Sequence, residues 1–294
     1  MGFKSGFVVL AGRPNAGKST LLNALLKSKL SIVSSKPQTT RHKILGILNG
    51  PDFQICFLDT PGLLSEAKDG LRQALVKTAR GAIRSDTDAV VLLVEPVLPD
   101  PRFTQEFDSL RGRGLPLVVA VNKVDVSPAG LDAVEAAWRE ALKPQAVVLI
   151  SALRGAGVEK LLDTLKGLLP EGEPYYDREH LSDRYERFFV SEIIREKIFE
   201  LYEEEVPHAA AVQIELFREA KGRPDEVMAS VFVERDSQKG ILIGKDGRMI
   251  RKLHERSTAA AEEFLGRPVR LDIRVKVRKD WRKDPRSLKE FGYL

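Results

Sequence analysis

A chain of 294 residues with 43% hydrophobic and 30% charged residues has enough apolar content for packed cores and the length of about two domains, which argues against disorder. Its single cysteine, Cys56, excludes an intrachain disulfide framework and reads as a small buried hydrophobe. The longest apolar runs, such as Ala89 to Val94, are too short to cross a bilayer, and Met1-Gly2-Phe3-Lys4 opens no signal-peptide stretch, so a cytoplasmic protein is expected.

In chain order, the apolar run Gly6 to Ala11 predicts a buried strand, and Thr20 to Leu26 continues with helix formers. Between them lies Gly12-Arg13-Pro14-Asn15-Ala16-Gly17-Lys18-Ser19, which matches GxxxxGK[ST] in the strand–loop–helix context that this motif needs. The glycines let successive N–H groups face a phosphate and the helix N-terminus adds its dipole, while Lys18 reaches the β- and γ-phosphates and the Ser19 hydroxyl takes Mg²⁺. A plain tight turn would leave Lys18 and Ser19 unexplained.

The next strand, Phe53 to Leu58, ends in Asp59-Thr60-Pro61-Gly62. Asp59 at a carboxyl strand end is a candidate to hold Mg²⁺ through water, and Gly62 has no side chain where a backbone N–H must approach the γ-phosphate. A helix is predicted from Gly70 to Ile83, then a strand at Leu117 to Val121 leading into Asn122-Lys123-Val124-Asp125. Guanine offers two donors, N1–H and its amine, and an ionised Asp125 accepts both; adenine has no such pair on that edge, so GTP is preferred over ATP. After a helix from Leu131 to Leu142 and a strand from Ala146 to Ile150 comes the segment Ser151-Ala152-Leu153, in which Ser151-Ala152 is placed to offer a backbone N–H to the guanine oxygen. A last helix, Val158 to Leu169, completes an α/β domain with a mostly parallel sheet, and ligands of such sheets bind at the carboxyl strand ends where all these segments fall.

Pro170 to Asp177, with two prolines and a glycine, reads as a linker. Beyond it Val190, Ile194, Ile198 and Leu201 recur at helical spacing, with Pro207 expected to stop the helix, and strands are predicted at Val212 to Phe217 and Val227 to Val233. Gly244-Lys245-Asp246-Gly247 then precedes a helix from Arg248 to Leu265, and the final strand alternates apolar Val269, Leu271, Ile273, Val275 and Val277 with a mostly basic opposite face. This order resembles a type II KH domain, a smaller α+β fold whose GxxG loop clamps single-stranded nucleic acid. Lys245 supplies charge there, and Arg248, Lys252 and Arg256 lie on one helical face behind it, which makes 244–248 with Lys252 and Arg256 the candidate RNA-binding residues. The charge distribution agrees: residues 183–234 carry 7 Lys/Arg against 13 Asp/Glu, and residues 235–294 carry 17 against 9, which suits a polyanionic partner. The expected division is a GTPase domain over 1–170, a linker over 171–185, a KH domain over 186–280 and a tail over 281–294.

A GTPase domain followed by a type II KH domain resembles the Era family of bacterial ribosome-assembly GTPases, in the wider group that also contains the TrmE and EngA families. The resemblance spans the chain and includes Gln38-Thr39-Thr40-Arg41-His42, Ser191 to Lys197 and Leu288 to Tyr293. It implies GTP hydrolysis coupled to binding near the 3′ end of 16S ribosomal RNA during assembly of the 30S small subunit, in a monomer with a peripheral association with the inner membrane. By the same resemblance the GTP pocket comprises residues 12–20, Thr20 included, with 59–63, 122–125 and 151–153, and Thr40 joins Mg²⁺ beside Ser19 and Asp59, with Thr39 as the alternative ligand. Lys18, Thr40, Gly62 and Asn15 are then the catalytic set. Leu63 stands where a glutamine orients the attacking water in other GTPases, which predicts slow turnover, and Asn15 suggests K⁺ as an added cofactor. Arg13 reads as a surface residue of the loop. His42, His180, His208 and His254 show no ligand spacing, so no metal besides Mg²⁺ is expected. A membrane-associated signalling GTPase, using Lys276 to Lys289 against anionic lipid, is the alternative function; a scaffold that binds GTP without turnover is a third.

Overall fold

The computed structural model describes residues 2–33, 36, 39–62, 70–84, 87–112, 114–127 and 129–294. Two compact units are present: one of Met1–Ser31, Thr40–Glu66 and Leu75–Asp183, the other of Ile32–Thr39, Ala67–Ala74 and Arg184–Leu294.

The first unit is built on β1 (Lys4–Gly12), α1 (Lys18–Leu26), β2 (Ile44–Asn49), β3 (Phe53–Asp59), α2 (Gly70–Arg84, its first turn in the other unit), β4 (Ala89–Val94), α3 (Pro101–Arg111), β5 (Leu117–Val121), α4 (Leu131–Leu142), β6 (Ala146–Leu149) and α5 (Val158–Leu168). The strands form one sheet in the order β2-β3-β1-β4-β5-β6, parallel throughout except that β2 runs antiparallel to β3. Helices cover this sheet, and its central strands are largely apolar, with every residue of β3, β4 and β5 buried. From β1 the chain moves outward to β3 on one side and to β4 on the other, so the loop after β1 sits at the point where strand order reverses, the usual ligand site of such sheets.

The strand β2 and the helix α3 were not anticipated. In β2, itself the edge strand, the apolar residues run together, so no alternation marks it; α3 is set by Asp100, whose carboxylate accepts from the Arg102 N–H at 3.0 Å, and by Pro101 at the first helical position.

The second unit contains α6 (Glu186–Leu201), α7 (Val206–Ala209), β7 (Ala211–Arg218), β8 (Asp225–Val233), α8 (Asp236–Ile243), a 3₁₀ turn (Lys245–Gly247), α9 (Arg248–Leu265), β9 (Val269–Val277) and α10 (Pro285–Glu290). Its sheet has the order β7-β8-β9, with β7 antiparallel and β9 parallel to β8. Val190, Ile194 and Ile198 of α6 pack with Val227, Val231, Leu253 and Leu271 in one core. Pro207 does not stop α6, which already ends at Leu201; it lies in the first turn of α7, where its missing N–H has no intrahelical acceptor to lose. Trp281 is fully buried beneath Phe291 and Tyr293 and donates to the Ala209 carbonyl at 2.8 Å. No helix among the described residues is long and apolar enough to cross a membrane.

Candidate functional site

At the end of β1 the backbone turns through Gly12 at φ 150°, Asn15 at φ 63° and Gly17 at φ 98° before α1 begins at Lys18. Gly17 is required twice over: its φ favours glycine, and a Cβ there would lie 2.2 Å from Asn122 Nδ2. Lys18 is buried and donates to the carbonyls of Gly12 at 3.3 Å and Arg13 at 3.0 Å, so its ammonium is folded back over the loop. Burial pulls its pKa down to about 8, opposed by the nearby Asp59 carboxylate. A group in that condition gains strongly from an arriving phosphate.

Ser19, one residue on, brings the next segments in. Its hydroxyl donates to Asp59 Oδ2 at 2.7 Å and lies 2.9 Å from Thr40 Oγ1. Asp59 is fully buried, which pushes its pKa up, while Lys18 and the Ser19 hydroxyl pull it down; its Oδ1 has no hydrogen-bond partner among the described residues. Two hydroxyls and a carboxylate with an orphaned oxygen, all hard donors, fit Mg²⁺. Thr39 points elsewhere, its hydroxyl donating to the Lys36 carbonyl at 2.8 Å, so the geometry gathers Thr40 and not Thr39 around Ser19. Thr60 secures the segment by donating to the Leu10 carbonyl at 3.0 Å, and Gly62 passes so close to the phosphate loop that a Cβ would stand 2.7 Å from the Pro14 nitrogen. Leu63 and Gln38 lie outside the described residues.

The base-recognition segments are joined by one buried side chain. Asn122 donates from Nδ2 to the Ala16 carbonyl at 2.9 Å and accepts on Oδ1 from the Ala152 N–H at 2.9 Å, tying the phosphate loop, β5 and the loop after β6 together. Lys123, at φ 67°, pairs with Glu95, and Asp125 stands exposed at the turn, available to a base. In this structure the Ser151 N–H donates to the Ala156 carbonyl at 2.9 Å and the Ala152 N–H to Asn122 Oδ1 at 2.9 Å. Arg13 is exposed, held at 2.6 Å from Asp100 and 4.8 Å from the Phe103 ring centre. Val124 and Thr20 are half-buried beside these turns.

In the second unit Gly244 (φ 70°), Asp246 (φ 54°) and Gly247 (φ 72°) form a turn with left-handed backbone between α8 and α9. Lys245, Asp246, Arg248, Lys252 and Arg256 are exposed around it, joined by Arg251, which the sequence analysis passed over and which donates to the Asp246 carbonyl at 2.8 Å. Glu95 and Asn23 were also missed, because neither belongs to a motif; only their spatial partners mark them.

A strand–phosphate loop–helix with an Asn-Lys-Val-Asp turn on a six-stranded sheet, and a three-stranded unit with a GxxG turn, define a P-loop GTPase domain joined to a KH domain. The family described as 50S ribosome-binding GTPase matches residues 7–123, and the KH domain family matches residues 205–282. The GTPase Era of Geobacter metallireducens is 44% identical over 295 residues, covering 99% of this chain and 98% of that protein. The crystal structure of Aquifex aeolicus Era bound to GDP·AlF₄⁻ is 35% identical with a TM-score of 0.94, covering 99% of this chain and 100% of that one. A structure of Era in complex with MgGDPNP and nucleotides 1506–1542 of 16S ribosomal RNA is 36% identical with a TM-score of 0.92, covering 99% of each chain. This chain belongs to the Era family and is a GTPase.

Proposed function

We propose that the chain hydrolyses GTP slowly with Mg²⁺ and binds the 3′ region of 16S ribosomal RNA through its KH domain, acting in maturation of the 30S subunit in the cytoplasm. The observation that carries this reading is the junction of all four nucleotide segments at Asn122 and Ser19 in a chain that also holds an exposed basic GxxG turn. An Era 36% identical to it has been captured with both MgGDPNP and that RNA. The proposed division is a GTPase domain over 1–170, a linker over 171–185, a KH domain over 186–280 and a tail over 281–294.

In the hydrolytic step, Lys18 and the loop N–H groups hold the phosphates, and Gly62 leaves room for a backbone N–H at the γ-phosphate. Ser19, Thr40 and Asp59 are the residues that would hold Mg²⁺, which supplies positive charge to the transferring phosphoryl group. Asn15, exposed in the loop, is the proposed K⁺ contact; identical turnover in Na⁺ and K⁺ would remove that part.

Coupling to RNA is supported by the segment just before Thr40. Within the second unit Lys36 donates to the carbonyls of Phe199, at 2.7 Å, and Tyr202 at the end of α6, and the Leu71 N–H donates to the Arg282 carbonyl at 2.9 Å. A coupling of about 1–3 kcal/mol between nucleotide state and RNA affinity is typical of such switches.

The test is fluorescence anisotropy with a labelled RNA of the 16S 3′ end and GDPNP-loaded protein, comparing wild type with Gly247→Asp. The nearest atom to a Cβ at Gly247 is 3.6 Å away, so no neighbour is displaced, but φ is +72°, a region that favours glycine, and the substitution therefore perturbs the turn through both its negative charge and its backbone. A loss of roughly tenfold or more in RNA affinity, with GDP affinity unchanged, is expected. Unchanged RNA affinity would overturn the KH reading.

A further inference from the structure

The Mg²⁺ candidates Ser19, Thr40 and Asp59 account for three groups in a region that holds a fourth. Ser31 follows α1 by five residues and is 1% exposed, yet its hydroxyl has no hydrogen-bond partner of good geometry among the described residues. The same is true of Asp59 Oδ1, and the two groups are near enough for the hydroxyl to act on the carboxylate. A buried hydroxyl and a buried carboxylate oxygen both left open is a costly arrangement, and a bond between the two would satisfy both.

The backbone of Ser31 is not left to drift. Asn23, four residues after Ser19 and hence on the same side of α1, accepts from the N–H groups of Leu30 at 3.0 Å and Ser31 at 2.9 Å and donates to the Ser31 carbonyl at 2.8 Å. Three hydrogen bonds to two adjacent residues hold the Ser31 Cβ in fixed relation to the helix that carries Lys18 and Ser19.

We propose that Ser31 is a positioning residue for the Mg²⁺ site: held by Asn23, its hydroxyl donates to Asp59 Oδ1 and fixes the orientation of the carboxylate whose other oxygen already accepts from Ser19. The carboxylate is then gripped at both oxygens, one by each end of the α1 region, and its plane is set before the ion arrives. Groups that orient metal-binding carboxylates commonly change metal affinity by about 10–100-fold when removed. This inference rests on the reading of Ser19, Thr40 and Asp59 as the Mg²⁺ site.

The experiment measures release of a fluorescent GDP analogue by stopped flow across a Mg²⁺ titration and in EDTA, for wild type, Ser31→Ala and Asn23→Ala. Wild type is expected to release GDP more slowly as Mg²⁺ rises. Ser31→Ala is expected to need roughly tenfold more Mg²⁺ for half of that slowing, with an EDTA release rate equal to wild type, and Asn23→Ala to shift in the same direction. The equal EDTA rate separates a Mg²⁺ effect from loss of folding, since Ser31→Ala removes only a hydroxyl with no partner in the free pocket. A Ser31→Ala titration that overlays wild type overturns the proposal and leaves the Mg²⁺ site standing. Absence of any Mg²⁺ effect in wild type overturns both.

Discussion

Replacing Asn122 with alanine tests whether one side chain organises the pocket. Asn122 is 3% exposed and makes two hydrogen bonds of 2.9 Å, to the Ala16 carbonyl and from the Ala152 N–H. Truncation leaves both buried backbone groups unsatisfied, at about 1–3 kcal/mol each, so a total near 2–4 kcal/mol is expected after partial relaxation. Because the lost partners belong to the phosphate loop and to the base-recognition loop, most of the loss should fall on nucleotide binding, as a rise in the GDP dissociation constant of about 30- to 1000-fold at 1.4 kcal/mol per tenfold. Titration with a fluorescent GDP analogue reads this directly, and a chemical denaturation curve of the nucleotide-free protein reads what remains in the fold. The contact with Gly17 supplies a second arm. A Cβ at Gly17 would lie 2.2 Å from Asn122 Nδ2, so Gly17→Ala should cost less in the Asn122→Ala background than alone, by an interaction of about 1 kcal/mol or more. GDP affinity within twofold of wild type in Asn122→Ala would refute the reasoning.

Two further outcomes are expected. Lys18 in the free protein has its pKa pulled down to about 8 by burial from 10.5, so between those values the unfolded chain binds more protons than the folded one, and the stability of the nucleotide-free protein contributed by this group rises with pH through that window. Phosphate raises the Lys18 pKa again, so GDP binding at pH 9 should take up a proton, seen by calorimetry in buffers of different ionisation enthalpy; binding without proton uptake there would contradict the buried ammonium. Trp281→Ala removes a fully buried indole and its bond to the Ala209 carbonyl, and should destabilise the second unit by about 3–5 kcal/mol in urea denaturation, with a loss below 1 kcal/mol counting against the packing described.

The sequence by itself determined what depends on a few neighbouring residues. A phosphate loop is a property of glycines at set spacing between a strand and a helix, and Gly12 to Ser19 could be read because the backbone conformations it needs are local. The same holds for the GxxG turn and for β9, whose alternation reports burial of one face against a sheet. The antiparallel edge β2 was illegible because its partner lies across a turn and its apolar residues run together, and Pro207 misled because a proline marks the start of a helix as readily as the end of one. Only the tertiary structure decided which of two adjacent threonines faces Ser19, and that Asn122 and Asn23 are clamps. The bonds of Thr40 to Ser19 and of Asn122 to Ala16 join residues 21 and 106 positions apart, and the energy of a buried polar group depends on what stands within hydrogen-bond reach of it in space, a quantity that no local pattern encodes.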